Sequence, residues 1–592
     1  MSVPFGIDLG TTNSVIARLH EGRAQALEVA GSTIVPSVVL FRADRVIVGR
    51  EARNLALQHP EDTVRSIKRH MGEDFPYSVG GRTLSPEDVS AAILRALKEG
   101  AEKATGEVVK DVVITVPAYF NDAQRRATLK AGELAGLNVQ RLLNEPTAAS
   151  LIYNQVVNQS GSSGEPEIIL IYDLGGGTFD VSVLEVFDGV REVRATAGNS
   201  HLGGDDFDEL LVRHFLDELR RVSACDPRED VRAMARLRQL AEDTKIRLSS
   251  QTEVRAREEF LTTVNGKPVH LDVVVTRRKF EEMIGPLMES TIQLAHRAVD
   301  DARLSGQKLA RVCLVGGSTR IPLVRQLLES SFTAEIHEEI DPDLAVGLGA
   351  AVQAGLLQGA AVDRILVDVN AHTLGIRAIG EEQIDTFAPV LRRNTPLPAE
   401  RTDEFYTMAD NQSHFLLEVF QGEAPRVSRN SKVGEYMIDL VPRPARSPVQ
   451  VRFSYDLDGV VKVSVAQPGA SNERTVTFRV ADAAPPSLQA TPPGGFGDLE
   501  EDDDLEEGDD LDEGDDLDEG DAMDAAAPPF ATGSAPASAI ERKAEALRAR
   551  LSGSRLAQLD DLLGRFRSAM NMDARALAED ALLDFFLSVE ED

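Results

Sequence analysis

The 592-residue sequence is poor in several features that direct the interpretation of other chains. Its only two cysteines, Cys225 and Cys313, lie far apart and form no CxxC pair, so neither a disulfide framework nor a zinc site is indicated. No stretch approaches the roughly 18 apolar residues of a membrane span. The first residues, MSVPFGIDLG, lack the basic start and apolar run of a signal peptide. We therefore expect a cytoplasmic protein without a membrane partner.

Basic residues are also scarce, because 63 Lys and Arg stand against 97 Asp and Glu, giving a formal net charge of −34. An acidic surface repels phosphate backbones, so nucleic acid is not expected as a partner. The stretch 498–524 holds 18 of the acidic residues and no basic one. About half of the net charge therefore belongs to one segment.

Four changes of pattern divide the chain, which is too long for a single core. Short β-branched runs alternate with helical patterns at first, which indicates an α/β architecture. A period-two pattern follows, clearest in the hairpin VQVRFSYDLDGVVKVSV (449–465), and indicates an all-β domain. A segment rich in Pro, Gly, Ala and acid is predicted to be disordered, and apolar residues at helical spacing end the chain. The predicted divisions are an α/β domain (1–363), a linker (364–370), a β domain (371–481), an acidic arm (482–538) and a segment of short helices (539–592).

Glycine-rich turns occur twice after an apolar strand that ends in Asp-Leu. YDLGGGTFD (172–180) exposes main-chain N–H groups that can cradle phosphate oxygens, although one such turn is equally typical of a tight β-hairpin. FGIDLGTTNS (5–14) repeats the plan. Neither turn matches GxxxxGK[ST] or GxGxxG. The two turns predict a duplicated domain that grips one polyphosphate from two sides, and VCLVGGSTRIP (312–322) supplies a third turn for a base or sugar.

Acidic and basic side chains near these turns suit phosphoryl chemistry. Asp8 and Asp173 are the carboxylates that Mg²⁺ needs beside its waters and the phosphates. Glu145 and Asp180 are candidates to orient or deprotonate a water, and Lys68 to neutralise phosphoryl charge. Taken alone, Lys68 is typical of a surface lysine and Glu145 of a helix start. Only together do they predict a hydrolytic site.

Eight collinear motifs carry a resemblance to a known family. They are IDLGTTNS, IKR, VITVPAYFNDAQRRAT, NEPTAA, DLGGGTFDVSV, LGGDDFD, LVGGSTR and DPDLAVGLGAAVQAG. Over residues 3–481 the chain resembles the 70-kilodalton heat-shock (DnaK-like) chaperones. The resemblance implies an α/β actin-like, ribonuclease-H-like ATPase domain of two duplicated lobes, joined to an all-β sandwich that binds peptide.

The resemblance also implies roles at the ATP site. Asp8 and Asp173 would hold hydrated Mg²⁺, with K⁺ as an additional cation, and Lys68, Glu145, Thr178 and Asp180 would serve hydrolysis. The nucleotide, ATP or ADP, would be bound by Gly10, Thr11, Thr12, Asn13, Gly175, Gly176, Gly177, Thr178, Gly204, Glu242, Lys245, Ser249, Gly316, Gly317, Arg320 and Asp343.

In the β domain, the resemblance implies an apolar channel for extended polypeptide. It would be lined by Ile376, Ile379, Phe405, Met408, Phe415 and Leu417. The alternative is that these side chains form the core of a β-sandwich. Phe415 stands where the family commonly has a β-branched aliphatic residue, and Met408 replaces a small one. Because packed apolar sites tolerate added volume poorly, we expect a narrowed central pocket.

The linker DRILVDV (363–369) resembles the apolar linker of the family, except that Arg364 occupies an aliphatic position. Coupling between peptide and ATP sites would run through Pro117, Arg125, Arg141, Ile365, Leu366, Val367 and Asp368. The resemblance implies unfolded clients, a J-domain co-chaperone and a nucleotide-exchange factor as partners.

The C-terminal region departs from the family, which follows the β domain with a long helical lid. Here AAPPSLQATPPGGFGD and the acidic repeat come instead. Three functions therefore stay open: an ATP-driven polypeptide-binding chaperone, an ATP-binding adaptor of the same family, and a small-molecule kinase of the same ATPase fold.

Overall fold

In the computed structural model, the described residues run from 4 to 477 with short gaps and then comprise residue 548 and residues 553–568. The gaps are residues 44, 80, 158–165, 188–189, 224, 265, 305–306, 338–340, 361–364, 380–384, 458–459 and 471–473. The chain divides into two compact units, residues 1–489 and 490–592. The predicted acidic arm and most of the predicted C-terminal helical segment lie outside the described residues.

A central mixed sheet, two smaller sheets and covering helices form the first part of the chain. Its strands are β1 (Phe5–Leu9), β2 (Asn13–His20), β3 (Arg23–Ala26), β4 (Val35–Pro36), β5 (Val39–Phe41), β6 (Val46–Val48), β7 (Thr63–Val64), β8 (Tyr77–Val79), β9 (Arg82–Leu84), β10 (Asp111–Val116) and β11 (Asn138–Asn144), and its helices are α1 (Arg50–Leu55), α2 (Pro86–Thr105), α3 (Asp122–Leu134) and α4 (Glu145–Val157). The central sheet, here the first sheet, has the order β11-β10-β1-β2-β3. Strands β1, β2 and β3 are antiparallel neighbours, and β10 and β11 add in parallel.

A second sheet follows with the same strand order. Its part of the chain holds β12 (Glu167–Leu174), β13 (Phe179–Phe187), β14 (Val190–Asn199), β15 (Glu253–Val264), β16 (Lys267–Thr276), β17 (Leu309–Val315) and β18 (Glu335–His337), with α5 (Gly204–Ser223), α6 (Val231–Leu248), α7 (Arg277–Asp301), α8 (Pro322–Ser331) and α9 (Ala345–Leu357). The order β18-β17-β12-β13-β14 repeats three antiparallel strands followed by two parallel ones. The hairpin β15–β16 stands apart as a two-stranded sheet.

Helices α4 and α9 lie between the two sheets. Their buried residues Ala148, Leu151 and Ala350 share one apolar cluster with Val113 of the first sheet and Ile171 of the second. Because this cluster joins the sheets at one side, the turns at the ends of β1 and β12 face each other across a cleft.

The β domain consists of two four-stranded antiparallel sheets. Its strands are β20 (Leu374–Ala378), β21 (Thr386–Leu391), β22 (Ala399–Tyr406), β23 (His414–Gln421), β24 (Ser431–Asp439), β25 (Pro448–Tyr455), β26 (Val461–Ala466) and β27 (Arg474–Thr477), after β19 (Ile365–Val367) in the linker. The sheets have the orders β21-β20-β23-β24 and β22-β25-β26-β27. The hairpin predicted at 449–465 is confirmed, because β25 and β26 pair from Gln450 and Ala466 to Tyr455 and Val461.

The mixed α/β part and the antiparallel β domain agree with the fold class predicted from the sequence. In the second unit, helix α10 (Gly553–Ser568) buries Leu559 and Leu563. It lies within the segment where short amphipathic helices were predicted. No helix of the described ranges is long and apolar enough to cross a membrane.

Candidate functional site

The two glycine-rich turns meet across the cleft. Residues 10–12 join β1 to β2, and residues 175–178 join β12 to β13. A Cβ atom placed on Gly176 would lie 1.8 Å from Oγ1 of Thr12, and one on Gly177 would lie 2.6 Å from Cγ2 of Thr11. A side chain at Gly176 would therefore force the turns apart, which explains why strand stability is given up there.

The third turn, after β17, lies against the second one. Gly316 has a φ of 82°, in the left-handed region that favours glycine, and a Cβ there would lie 2.4 Å from the carbonyl oxygen of Leu174. The hydroxyl of Ser318 donates a hydrogen bond to the carbonyl of Gly175 at 2.8 Å. The three turns thus form one continuous main-chain surface.

A cavity of about 320 Å³ lies between these turns. The sequence-predicted residues that line it are Asp8, Gly10, Thr11, Thr12, Asn13, Lys68, Glu145, Asp173, Gly175, Gly176, Thr178, Glu242, Lys245, Ser249, Gly316, Gly317, Arg320 and Asp343. Gly177 lies close to Thr11 of the first turn, and the carbonyl of Gly204 accepts a hydrogen bond from Nζ of Lys245 at 2.9 Å. Residues from both sheets therefore converge on one space.

Two carboxylates, the partly buried Asp8 and the buried Asp173, stand near the corresponding ends of β1 in the first sheet and β12 in the second. Oδ1 of Asp8 accepts a hydrogen bond from the hydroxyl of Thr115 at 3.0 Å. Burial, followed by the negative charge of Glu145, raises the pKa of Asp8 to about 7 and raises the pKa of Asp173 well above its usual value. Carboxylates that are costly to ionise in this way suit a position beside a cation.

Lys68 and Glu145 form a buried ion pair at the same cavity. Asp180, which is 1% exposed, lies behind the second turn, and its Oδ1 accepts a hydrogen bond from the main-chain N–H of Tyr119 at 2.9 Å. Burial raises the pKa of Asp180 to about 7, and the charge of Glu145 adds to the effect. A group that binds protons near neutral pH is suited to general base catalysis.

Glu242 and Lys245, two of the side chains predicted to enclose adenosine, form ion pairs at the other end of the cavity. Glu242 of α6 pairs with Arg53 of α1 at 2.8 Å and with Arg65 at 3.6 Å. Lys245 pairs with Asp208 at 2.7 Å. Because α1 belongs to the first part of the chain and α6 to the second, the pair Arg53–Glu242 closes that end of the cleft.

Arg320 pairs with Asp343 at 2.9 Å and with Asp341 at 2.8 Å. These residues follow the third turn and precede α9, so they connect two cavity walls. The predicted residue Ser249 ends α6 on the same side.

The residues present fit a nucleotide with Mg²⁺. Oγ1 of Thr12 is buried and has no hydrogen-bond partner within the described part of the chain. This is expected of a hydroxyl that donates a hydrogen bond to a ligand oxygen. The turns have no room for side chains and present main-chain N–H groups, which is the donor set that phosphates require. Asp8 and Asp173 are the two carboxylates that a hydrated Mg²⁺ needs.

The six residues predicted to bind peptide differ in their burial. Ile376 and Leu417 are buried in the core of the β domain, and Phe405 and Phe415 pack against that core. Ile379 and Met408 are 56% and 66% exposed, respectively. The structure therefore favours the core interpretation for Ile376 and Leu417, while peptide binding stays a prediction for the set.

The linker is a strand of the second sheet. Backbone pairing places β19 parallel to β14, with Ile365, Leu366 and Val367 opposite Val190, Arg191 and Glu192. The next residue, Asp368, is buried and accepts hydrogen bonds from the Asn144 amide at 3.0 Å and the Thr147 hydroxyl at 3.1 Å.

Two of the predicted coupling arginines lie near that carboxylate. Arg125 donates to Oδ1 of Asn144 at 2.7 Å. Burial raises the pKa of Asp368, and the positive charges of Arg125 and Arg141 partly offset this effect. Pro117 lies at the end of β10, and its carbonyl accepts a hydrogen bond from the N–H of Phe120 at 3.1 Å. The structure thus brings the predicted coupling residues into one region.

The β domain contacts the α/β part directly. Asp122 of α3 accepts from the N–H of Val461 at 3.3 Å, and its own N–H donates to Gln421 at 3.0 Å. Arg393 pairs with Asp301 at 3.0 Å. The β domain and the α/β part are therefore joined by side-chain contacts as well as by the linker.

Several cavity residues were not predicted. They are Arg53, Ile246, Val315, Ser318, Ile321, Pro342 and Val346. Ser318 and Pro342 lie inside quoted motifs and could have been included with them. Arg53 had no local signal, because its partner Glu242 is 189 residues away along the chain.

Comparison with known families agrees with this architecture. The sequence model of the Hsp70 protein family matches residues 4–79 and 76–488. Members of this family are chaperones that bind ATP or ADP with Mg²⁺, hydrolyse ATP and combine an actin-like ATPase domain with a β-sandwich domain. The match extends over most of the chain and includes every turn around the cavity, and the chain therefore belongs to the Hsp70 protein family.

Proposed function

We propose that this chain is an ATP-driven molecular chaperone that binds extended polypeptide in its β domain and changes its affinity for it with the bound nucleotide. The observation that carries the proposal is the meeting of the two turns over a cavity that also contains the Lys68–Glu145 pair. A β domain attached to the same unit by a paired linker strand supplies the second half of the device.

In the proposed ATP site, the turns at residues 10–13 and 175–178 bind the phosphates through main-chain N–H groups and through the hydroxyls of Thr11, Thr12 and Thr178. Asp8 and Asp173 would hold hydrated Mg²⁺, which neutralises phosphate charge when it is bound. Lys68 lies where a positive charge stabilises the transferred phosphoryl group, and Glu145 fixes the position of that lysine.

Asp180 is the proposed general base. Its side chain is buried, and the charges of Glu145 and Lys68 both act on its pKa. The main-chain N–H of Tyr119 donates a hydrogen bond that holds one of its carboxylate oxygens in place. In the proposed reaction, the Asp180 carboxylate accepts a proton from the attacking water. Adenosine would lie between Lys245, Ser249, Arg320 and Asp343, and its departure requires the Arg53–Glu242 pair to open.

Coupling would use the linker strand. With β19 paired to β14 and Asp368 bonded to Asn144 and Thr147, the β domain is attached next to the ATPase machinery. A nucleotide state that stabilises this pairing also stabilises the docked position of the β domain. Release of the linker strand from β14 would let the β domain separate from the ATPase part. We propose unfolded polypeptides as clients, and a J-domain protein and an exchange factor as cytoplasmic partners.

An adaptor without refolding activity is the second candidate. Burial of Leu417 to 1% exposure and the bulk of Phe415 favour it, because both reduce the apolar surface available to a peptide. The two candidates share the ATP site and differ in the effect of peptide.

The test is the steady-state rate of ATP hydrolysis by the full chain, with and without an extended apolar peptide. A chaperone is stimulated by the peptide, whereas an adaptor hydrolyses at an unchanged rate. Asp180→Asn should abolish hydrolysis, and Asp272→Asn, which removes an exposed carboxylate paired with Arg255, should not. Normal hydrolysis by Asp180→Asn would overturn the assigned base.

Phe415→Val tests the peptide site. We expect tighter peptide binding, because Val is smaller than Phe and frees space at this partly buried position. Leu416→Val, on the exposed face of the same strand, should leave the affinity unchanged. Fluorescence anisotropy of a labelled peptide measures both variants. Equal affinity in Phe415→Val and the unaltered chain would show that Phe415 does not limit the site.

A further inference from the structure

A second large cavity adjoins the proposed ATP site at the first glycine-rich turn. Its volume is about 540 Å³, and four of its lining residues also line the ATP cavity: Thr11, Thr12, Arg53 and Glu242. Its other walls include residues of the segment 65–70 from the first part of the chain and residues of α5 and α6 from the second. The turn that is proposed to bind phosphate therefore borders two cavities.

Three cations of one short segment are divided between these cavities. Lys68 lines the ATP cavity, whereas Arg65 and Arg69 line the second one. Residues Ile67–His70 form a 3₁₀ turn, in which successive side chains point in directions about 120° apart. A phosphoryl group stabilised by Lys68 is therefore one residue along the chain from the next positive charge.

Arg69 has donors left for an anion. Its Nη2 donates to Oδ1 of Asp206 at 3.0 Å and to the carbonyl of His201 at 3.1 Å, and these are its only hydrogen bonds within the described residues. A guanidinium carries five N–H donors, so those of Nε and Nη1 can bind a phosphate oxygen.

The stem of Arg69 closes the way between the cavities. A Cβ atom placed on Gly177 would lie 2.9 Å from Cγ of Arg69 and 2.6 Å from Cγ2 of Thr11. These three residues therefore lie against one another where the two glycine-rich turns meet. A small separation of the turns connects the ATP cavity with the guanidinium of Arg69.

The acidic residues that line the second cavity lie on the opposite wall, on α5 and α6. Three of the four are paired with cations: Asp208 with Lys245, Glu209 with Arg238 and Glu242 with Arg53. The fourth, Asp205, has a side-chain hydrogen bond with Ser66. Each of these carboxylates has a partner, so an anion that enters meets the arginines of the segment 65–70.

We propose that the second cavity is the exit site for orthophosphate, the product that ATP hydrolysis forms beside Lys68, and that Arg69 is the first residue to bind it there. This inference rests on the proposed ATPase function. ADP still fills the ATP cavity after hydrolysis, and the Arg53–Glu242 pair closes its adenosine end. Orthophosphate lies at the turns, so it passes to the second cavity before ADP leaves, and the two products depart by different openings.

The experiment follows a single turnover of ATP by the full chain with two signals. Acid quench measures the formation of orthophosphate on the protein, and a fluorescent phosphate-binding protein measures its appearance in solution. Arg69→Gln keeps the Cβ and Cγ atoms next to Gly177 but removes the positive charge. We expect release to slow by roughly tenfold, the value of one hydrogen bond to a charged group, with formation within about twofold of the unaltered chain. Arg69→Lys, which retains the charge, should keep most of the release rate.

Arg255→Gln is the matched control. Arg255 also pairs with an aspartate, Asp272 at 2.6 Å, but it lines neither cavity. It should leave formation and release within about twofold of the unaltered chain. An equal delay of release in Arg255→Gln and Arg69→Gln would overturn the inference in favour of a general effect of lost positive charge.

The departure of a fluorescent ADP analogue separates the two openings. Arg69→Gln removes the pair with Asp206, which connects the two parts of the chain across the cleft, so ADP should not leave more slowly. Equal slowing of ADP and orthophosphate would overturn the inference, because both products would then share one opening.

Release that keeps pace with formation in Arg69→Gln would also overturn the inference, and thermal unfolding verifies that the Arg69 variants fold. Absence of hydrolysis by the unaltered chain would overturn the proposed function itself. Hydrolysis by the unaltered chain with release that is insensitive to Arg69→Gln would overturn this inference alone.

Discussion

Replacement of Lys68 by Met should strongly destabilise the ATPase domain. The Lys68 and Glu145 side chains are 4% and 9% exposed, so neither charge is stabilised by water. Removal of one partner of a buried ion pair costs about 3–5 kcal/mol, because the other charge stays buried and unpaired. The penalty falls at the upper end here, since the charge of Glu145 already disfavours the ionised forms of Asp8, Asp173 and Asp180.

The double variant Lys68→Met/Glu145→Gln separates this charge effect from lost packing. Replacing both partners of a buried pair by uncharged groups of similar volume is often close to neutral, so the double variant should recover most of the lost stability. Neither variant should hydrolyse ATP, because both lack the lysine. Stability and activity would therefore respond differently to the second substitution.

Urea unfolding without nucleotide, followed by far-ultraviolet circular dichroism, is the suitable assay, since the chain has no tryptophan. The unfolding transition of the ATPase domain should move to a lower urea concentration in Lys68→Met and return towards its original midpoint in the double variant. A single variant as stable as the unaltered chain would show that the pair is not buried in solution. A double variant no more stable than Lys68→Met would show that packing, and not charge, is responsible.

Two further predictions concern the same cleft. Gly176→Ala should weaken ATP binding by more than about tenfold, because its Cβ would lie 1.8 Å from Oγ1 of Thr12. Gly285→Ala, whose Cβ meets open space, is the control. Equal ATP affinities of the two variants in calorimetry would refute the prediction. Burial raises the pKa of Asp208 to about 7, so the folded chain holds a proton that the unfolded chain releases, and stability from this group is lost as the pH rises from about 4 through about 7. Asp208→Asn should reduce the fall in unfolding free energy between about pH 5 and about pH 8 by about 2 kcal/mol, and parallel urea-midpoint profiles for the two proteins would contradict this.

Local patterns predicted the parts of the fold that local forces determine. The period-two alternation of Val449, Val451, Phe453 and Tyr455 indicated the buried face of β25, and all four side chains are buried. The repeated strand, Asp-Leu, glycine and threonine pattern placed Asp8 and Asp173 at matching ends of two sheets, and the cavity contains both.

Long-range pairs were beyond such patterns. Nothing near Arg53 indicates that it meets Glu242, and nothing near His372 indicates that it reaches Tyr119, 253 residues away. Alternation also identifies which face of a strand is apolar but not what covers that face. For this reason the sequence could not decide whether Leu417 lines a channel or belongs to a core, and the structure places it in the core.

The parallel pairing of β19 with β14 has a consequence for any protein that binds at this edge of the second sheet. An unpaired outer strand is a template for another chain, and here the protein's own linker occupies it. A partner that binds there by strand addition must first displace Ile365, Leu366 and Val367, so its arrival and the departure of the linker are one exchange. The main-chain groups along the outer edge of β14 would then be paired either with the linker or with the partner, but not with both.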